Sequence, residues 1–205
     1  MSNQCGESHA PVTMGYIAHV WWPLAFSWLL MGFELPIYSG IIARLNNPTI
    51  NLAAFGGIVY PVTILIESPV IMLLAASTAL CTNQSRYAML RSFMMFLGVA
   101  VTLFHGLLAF TPLFSWAIGA VINPPQEVIQ PARIGMMLSI AWPFCIGFRR
   151  FNQGILIRFG KSKLVGVGTV LRLFVGTSTA LAFALFLPGQ DGILACSLAL
   201  STGVV

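Results

Sequence analysis

The sequence predicts an all-α integral membrane protein built as a six-helix transmembrane bundle. Two observations lead to this fold class. Of the 205 residues, 58% are hydrophobic and only 7% are charged, whereas a soluble domain carries about 25% charged residues. The apolar residues also form runs long enough to cross the hydrocarbon core, which takes about 20 residues of helix. Lipid is therefore the expected solvent of this chain.

Six spans are expected within a lobe that covers residues 16–205. The apolar runs place them at about 17–44, 52–80, 89–110, 132–158, 163–187 and 191–205. The first, second and fourth runs are longer than the bilayer requires, which predicts tilted or kinked helices. Residues 1–15 are polar and contain no Lys or Arg. We expect them to form a cytoplasmic tail and no cleaved signal peptide, because a signal peptide begins with a basic region.

Proline and glycine mark the connections. Residues 111–131, between the third and fourth spans, contain too many prolines for one helix. We expect a short interfacial helix at 113–121, an end at the Asn-Pro-Pro sequence that follows, and a new helix near Pro125 or Pro131. The sequence LPGQDG at 187–192 predicts a tight turn between the fifth and sixth spans.

Lys and Arg predict the orientation. The loops after the second and fourth spans carry seven basic residues: Arg86, Arg91, Arg149, Arg150, Arg158, Lys161 and Lys163. The loops on the other side carry two, Arg44 and Arg133. Because cytoplasmic loops are enriched in Lys and Arg, the N-terminus is expected in the cytoplasm and the protein in the plasma or inner membrane. The basic stretch before the fifth span is expected to touch anionic headgroups.

Two carboxylates lie inside apolar runs, Glu34 in FELP and Glu67 in IESP. With the N-terminus inside, both lie near the middle of the bilayer, where a charge costs a few kcal/mol or more. Each acid must therefore be neutral, paired or turned toward a polar cavity, and we expect both to face a shared wet crevice. Pro36 and Pro69 follow two residues later, so each helix should bend and leave an unpaired carbonyl.

Each candidate site residue has a functional and a structural interpretation. Glu34 and Glu67 either bind a coupling ion or substrate, or cap a kink or pair with an arginine. Arg172, an intramembrane cation in the fifth span, is one possible partner. His105 in the third span either relays protons or is a buried imidazole with satisfied hydrogen bonds.

Other function classes find little support in the sequence. The four cysteines have no metal-ligand spacing, which predicts unpaired structural thiols and no metal. No Ser/His/Asp set or paired soluble carboxylates appear, so we expect no enzyme and no cofactor beyond a coupling ion. The basic residues are too thinly spread for nucleic-acid binding.

Several stretches together resemble one family. They are the first span with Glu34 and Gly40, NLAAFGGIVYPVTILIESP, LFHGLLAF, the proline-broken outer loop and RRFNQGILIRFGKSKLVGVGTVLRL. In this order they resemble the N-terminal lobe of the multidrug/oligosaccharidyl-lipid/polysaccharide exporter superfamily. That superfamily contains the MATE efflux transporters and the progressive ankylosis (ANK) family of anion exporters. The opening LAAFG is typical of MATE proteins, whereas the stretches around His105 and after Gln153 lean toward ANK.

The resemblance implies one lobe of a two-lobe fold of twelve helices that works by alternating access. In MATE proteins an acidic residue of the first helix binds protons or sodium, and Glu34 occupies the matching position. The expected function is thus export of an organic ion or amphiphilic small molecule, coupled to H+ or Na+. A flippase for lipid-linked sugars and a non-transporting fragment or scaffold are the alternatives. Since residues 193–205 are still apolar where the sequence stops, we expect a second six-helix lobe from the same longer chain, a homodimer or a separate protein.

Overall fold

The computed structural model describes residues 13–187, 189 and 191–204, which form an all-helical fold. Most of the expected N-terminal tail lies outside the described residues. The helices are α1 (Met14–Gly32), α2 (Glu34–Ile42), α3 (Pro48–Ala54), α4 (Tyr60–Ile71), α5 (Leu73–Leu80), α6 (Gln84–Phe110), α7 (Leu113–Val121), α8 (Gln126–Leu138), α9 (Trp142–Arg158), α10 (Ser162–Phe186) and α11 (Gly192–Val204). A π-helical segment, Phe55–Val59, joins α3 to α4.

Membrane-length helices account for most of these elements. Among the described residues, four apolar stretches are long enough to cross a bilayer: Ile17–Ile42, Pro48–Leu80, Gln84–Phe110 and Ser162–Phe186. The pair α8–α9 is a fifth candidate, bent by 46°. Helix α11 has 13 residues, fewer than the roughly 20 that a span needs. The all-helical membrane class is therefore supported, while the sixth span remains a prediction.

Both spans are interrupted close to a proline, the first at Phe33 and the second at Met72, three residues after Pro69. The first span is interrupted at Phe33, between α1 and α2, because Pro36 has no N–H to give to the carbonyl of Gly32. In the second span, the carbonyl of Leu65 that Pro69 leaves free accepts a 2.8 Å hydrogen bond from Ser68 Oγ. The expectation of an unpaired acceptor is thus wrong at Leu65, because a neighbouring hydroxyl replaces the missing donor.

The connection between the third and fourth spans is as expected. Helix α7 covers the predicted interfacial helix, and α8 begins directly after Pro125. Asn123 adopts a left-handed conformation with φ of 48°, which asparagine tolerates better than most residues. Of the turn predicted at 187–192, Pro188 and Gln190 lie outside the described residues.

Side-chain contacts define the two ends of the bundle. Arg158 Nη1 donates to the carbonyls of Thr78 at 2.7 Å and Ala79 at 3.2 Å. The loops that follow α5 and α9 therefore lie at one end, here named the basic end, which carries Arg86, Arg91, Arg158, Lys161 and Lys163. At the opposite end, Asn46 Nδ2 donates to the carbonyl of Gly189 at 3.0 Å and so joins the α2–α3 and α10–α11 connections.

Two of the seven basic residues counted as loop residues lie elsewhere. Arg149 and Arg150 are inside α9, and Arg150 is buried. Their guanidinium groups contact Thr169 and Trp28 within the bundle, so they do not report on the charge of a loop, and the comparison becomes five basic residues against two. The Lys and Arg distribution still favours a cytoplasmic basic end.

Packing follows the expected membrane pattern. The centre of the bundle buries aromatic side chains such as Tyr38, Phe55 and Phe151. Large apolar side chains also cover the exterior, where Leu103 is 68% exposed and Phe174 69%. An apolar exterior of this kind suits acyl chains and not water.

Candidate functional site

The first carboxylate forms a buried ion pair with the predicted arginine. Arg172 Nη2 on α10 donates to Glu34 Oε1 at 2.8 Å and to Oε2 at 2.6 Å. Both side chains are 4% exposed, and this is the one ion pair found among the described residues. Glu34 also lies in the first turn of α2, where free backbone N–H groups favour a negative charge.

Tyr38 completes the surroundings of Glu34. Its hydroxyl lies one helical turn further along α2 and donates to Glu34 Oε1 at 3.3 Å. The phenol ring is fully buried and meets the Phe55 ring edge-on, with centroids 6.2 Å apart. Through Tyr38, the ion pair is thus in indirect contact with Phe55 in the π-helical segment of the second span.

Glu67 has a different partner. Trp142 Nε1, in the first turn of α9, donates a hydrogen bond to Glu67 Oε2 on α4. Both residues are buried, at 6% and 4% exposure. An indole N–H is a neutral donor, so it satisfies one acceptor of Glu67 without cancelling a charge.

One cation–π contact links the two acids. The guanidinium carbon of Arg172 lies 4.9 Å from the centre of the Trp142 ring, within the range of an attractive contact. Glu34, Arg172, Trp142 and Glu67 therefore form a continuous chain across α2, α10, α9 and α4, here named the charge network. The two acids are connected through these side chains and not through a shared water-filled crevice.

The space next to the ion pair is narrow. It is lined by Leu30, Met31, Glu34, Thr169, Arg172 and Leu173, and it is too small to hold a water molecule. Nε and Nη1 of Arg172 have no hydrogen-bond partner among the described residues. Buried donors without an acceptor are uncommon in native proteins, and a functional role is one of their explanations.

Two further arginines surround the network. Arg150 lies 5.0 Å above the Trp28 ring and donates to Gln153 Oε1 at 3.2 Å. Arg149 Nη2 donates to Thr169 Oγ1 at 3.0 Å. Neither guanidinium pairs with a carboxylate among the described residues. Three arginines thus face two glutamates inside the bundle, which gives its interior a positive bias.

An open cavity reaches this positive region. It has a volume of about 350 Å³ and lies between α9, α10 and α11, where Arg149, Arg172 and Thr202 line it. Gly168 and Gly203 also line it. A Cβ built on Gly168 would meet no atom within 4 Å, so this glycine leaves open space in the cavity that Arg149 and Arg172 line.

His105 lies apart from the network. Its imidazole is fully buried, and Nε2 is 2.9 Å from the carbonyl of Met136 on α8. Because a carbonyl only accepts, that nitrogen carries the proton and donates. Nδ1 has no partner among the described residues. None of these contacts joins His105 to Glu34 or Glu67, and only one of its two ring nitrogens has a hydrogen-bond partner among the described residues.

Metal chemistry finds no support in the described residues. They contain no group of three or more His, Cys, Asp or Glu side chains that could hold a metal ion. Cys81, Cys145 and Cys196 are free thiols, and Cys5 lies outside the described residues.

Comparisons of the chain with protein-family models, curated proteins and solved structures found no match. The candidate site therefore rests on the geometry of the charge network and on the sequence patterns described above.

The sequence alone identified three of the four network residues. Glu34, Glu67 and Arg172 were visible because a charge inside an apolar run is costly. Tyr38 was detectable from its spacing of four residues from Glu34, which places both on one helix face. Trp142, Arg149 and Arg150 were missed, since an aromatic residue and a basic pair near a predicted loop look ordinary in sequence.

Proposed function

We propose that this chain is a six-helix lobe of a secondary active transporter, MATE-like in its organisation, that exports an organic ion or an amphiphilic small molecule. The observation that carries the proposal is the buried ion pair between Glu34 and Arg172, which lies deep within two apolar spans. Intramembrane charges that face the bundle interior are costly, and in membrane proteins they mark transport pathways or relays.

The ion pair suggests how coupling works. A proton or a sodium ion that reaches Glu34 neutralises the carboxylate and weakens its hold on Arg172. Arg172 is then free to turn toward the cavity that it shares with Arg149. Because Arg172 also contacts Trp142, the change passes to Glu67 on the second span. The interruptions at Phe33 and at Met72, three residues after Pro69, provide the places where the two spans bend during alternating access.

Transport by the full-length protein in proteoliposomes tests this function. A fluorescent organic cation and a fluorescent organic anion serve as probes against an imposed proton or sodium gradient. We expect Glu34→Gln to abolish gradient-driven movement of the transported probe, because the amide cannot bind the coupling ion. Glu34→Asp retains part of it, and Glu127→Gln, at an exposed carboxylate that begins α8, leaves it unchanged. Wild-type transport by Glu34→Gln would refute the coupling role.

Flipping of a lipid-linked sugar is the second candidate, and one observation favours it. Such a substrate carries a pyrophosphate and needs a cationic interior, and the structure adds Arg149 and Arg150 to Arg172. A fluorescent short-chain polyprenyl pyrophosphate, scored for reduction by external dithionite, tests this function. Movement of this lipid without an ion gradient would favour the flippase. Inactivity with all three probes would favour the non-transporting scaffold.

A further inference from the structure

A long apolar groove runs along the outside of the bundle between α1 and α10. Its volume is about 570 Å³, and it is lined by Trp22, Pro23, Phe26, Lys163, Gly166, Val167, Val170, Leu171 and Phe174. A Cβ built on Gly166 would lie 3.6 Å from Ser27 Oγ and 3.9 Å from the carbonyl of Pro23. The two helices therefore approach closely at this glycine, and the bulkier neighbours form the walls.

One charged residue, Lys163, lies in this groove. It begins the first turn of α10 at the basic end, and its side chain is exposed. The rest of the lining is apolar, except for the indole N–H of Trp22. The groove thus has one cationic end, level with the helix start, and an apolar body that extends along the helices. This division matches a molecule with an anionic head and a hydrocarbon tail.

Charge complementarity identifies the occupant. The basic end carries five cationic side chains, and no described Asp or Glu lies there. Glu34 and Glu67 are inside the charge network, while Glu127 and Asp191 lie at the starts of α8 and α11, away from this end. Basic pockets between transmembrane helices on this side of a membrane bind anionic lipid headgroups.

We propose that the groove between α1 and α10 is a binding site for an anionic phospholipid, with its phosphodiester at Lys163 and one acyl chain along Val167, Val170 and Phe174. The groove volume lies within the range of about 300–1,000 Å³ that is typical of ligand sites. The lysine stem lies along the apolar wall while its ammonium group meets the phosphate, as amphipathic side chains do at membrane interfaces. The site does not depend on transport activity.

Photocrosslinking in vesicles tests the site. The full-length protein, with a benzophenone amino acid in place of Val170, is reconstituted in equal amounts of phosphatidylglycerol and phosphatidylcholine at about 0.5 M salt, where the Debye length falls to about 4 Å. We expect crosslinks to phosphatidylglycerol to exceed those to phosphatidylcholine about five-fold, which corresponds to about 1 kcal/mol for the direct contact of Lys163 with a headgroup whose phosphate no choline offsets.

The matched variants are Lys163→Gln and Lys161→Gln. Both remove one exposed charge from the start of α10, but Lys161, the residue just before the helix, does not line the groove. Lys163→Gln should abolish the preference for phosphatidylglycerol, and Lys161→Gln should leave it unchanged. A probe at Leu103 on α6, outside the groove, should crosslink both lipids equally.

Three outcomes would overturn the proposal. They are equal crosslinking of the two lipids at position 170, equal effects of the two lysine variants, and the same preference at Leu103. The last two would show a diffuse attraction of the basic end for anionic lipid and no site. Unchanged melting temperatures of both lysine variants in detergent would confirm that the comparison is between folded proteins.

Discussion

Glu34 and Arg172 compensate each other's charge inside the membrane-spanning bundle. Each alone would be expensive at this depth, and together they make two short hydrogen bonds of 2.8 and 2.6 Å. The free-energy cost of removing both charges from water offsets their attraction, so the ion pair does not by itself stabilise the fold. Removing one partner is far worse than removing both, because it leaves a buried charge without compensation.

Because of this asymmetry, removing only the carboxylate should destabilise the protein. Glu34→Gln should lower the free energy of unfolding by about 3 kcal/mol, since Arg172 keeps its charge and loses its carboxylate. The double variant Glu34→Gln/Arg172→Met should recover most of that loss. Denaturant titration of the protein in detergent micelles measures both effects.

Glu127→Gln is the matched control for this titration. The change of side chain is the same, but Glu127 is exposed in the first turn of α8, where its charge is worth about 0.5 kcal/mol. Equal losses for Glu34→Gln and Glu127→Gln, or a double variant less stable than the single one, would contradict a buried pair.

At the scale of the element, kinks and close contacts shape the spans. Proline explains the interruptions at Phe33 and at Met72, between α4 and α5. The π-helical segment precedes Pro61, whose missing N–H loosens the helix there. Small residues determine where helices touch. Gly154 on α9 faces α5 so closely that an added Cβ would overlap Ser77 Oγ and the carbonyl of Leu74.

Gly154→Ala should therefore separate α9 from α5. We expect a loss of about 2 kcal/mol in the free energy of unfolding, because the methyl group meets backbone that cannot move aside cheaply. Gly168→Ala on α10 has no atom within 4 Å of the new Cβ and should stabilise the protein by about 0.5 kcal/mol, since alanine favours helix. Thermal unfolding in detergent measures both effects. Wild-type stability of Gly154→Ala would contradict the close contact between α9 and α5.

For the whole molecule, the charge difference between its two ends predicts its orientation in the membrane. The five basic residues at one end predict a cytoplasmic location for the loop between α9 and α10. In a background without native cysteines, Lys161→Cys should react with a membrane-impermeant maleimide only after lysis. Ile122→Cys, which follows α7 and is 43% exposed, should react in intact cells. The opposite pattern would invert the topology.

The sequence by itself determined the membrane class, the interfacial helix α7, the proline interruptions and the three costly charges. These features follow from local physics, because hydrophobic length, the missing proline N–H and the cost of a charge in lipid can be read one segment at a time. The tertiary structure decided that Arg172 pairs with Glu34 and not with Glu67, that Trp142 takes Glu67, and that Arg149 and Arg150 belong to the interior. Those outcomes depend on which helix faces meet and at what height, and contacts between residues more than seventy positions apart leave no local trace in the sequence.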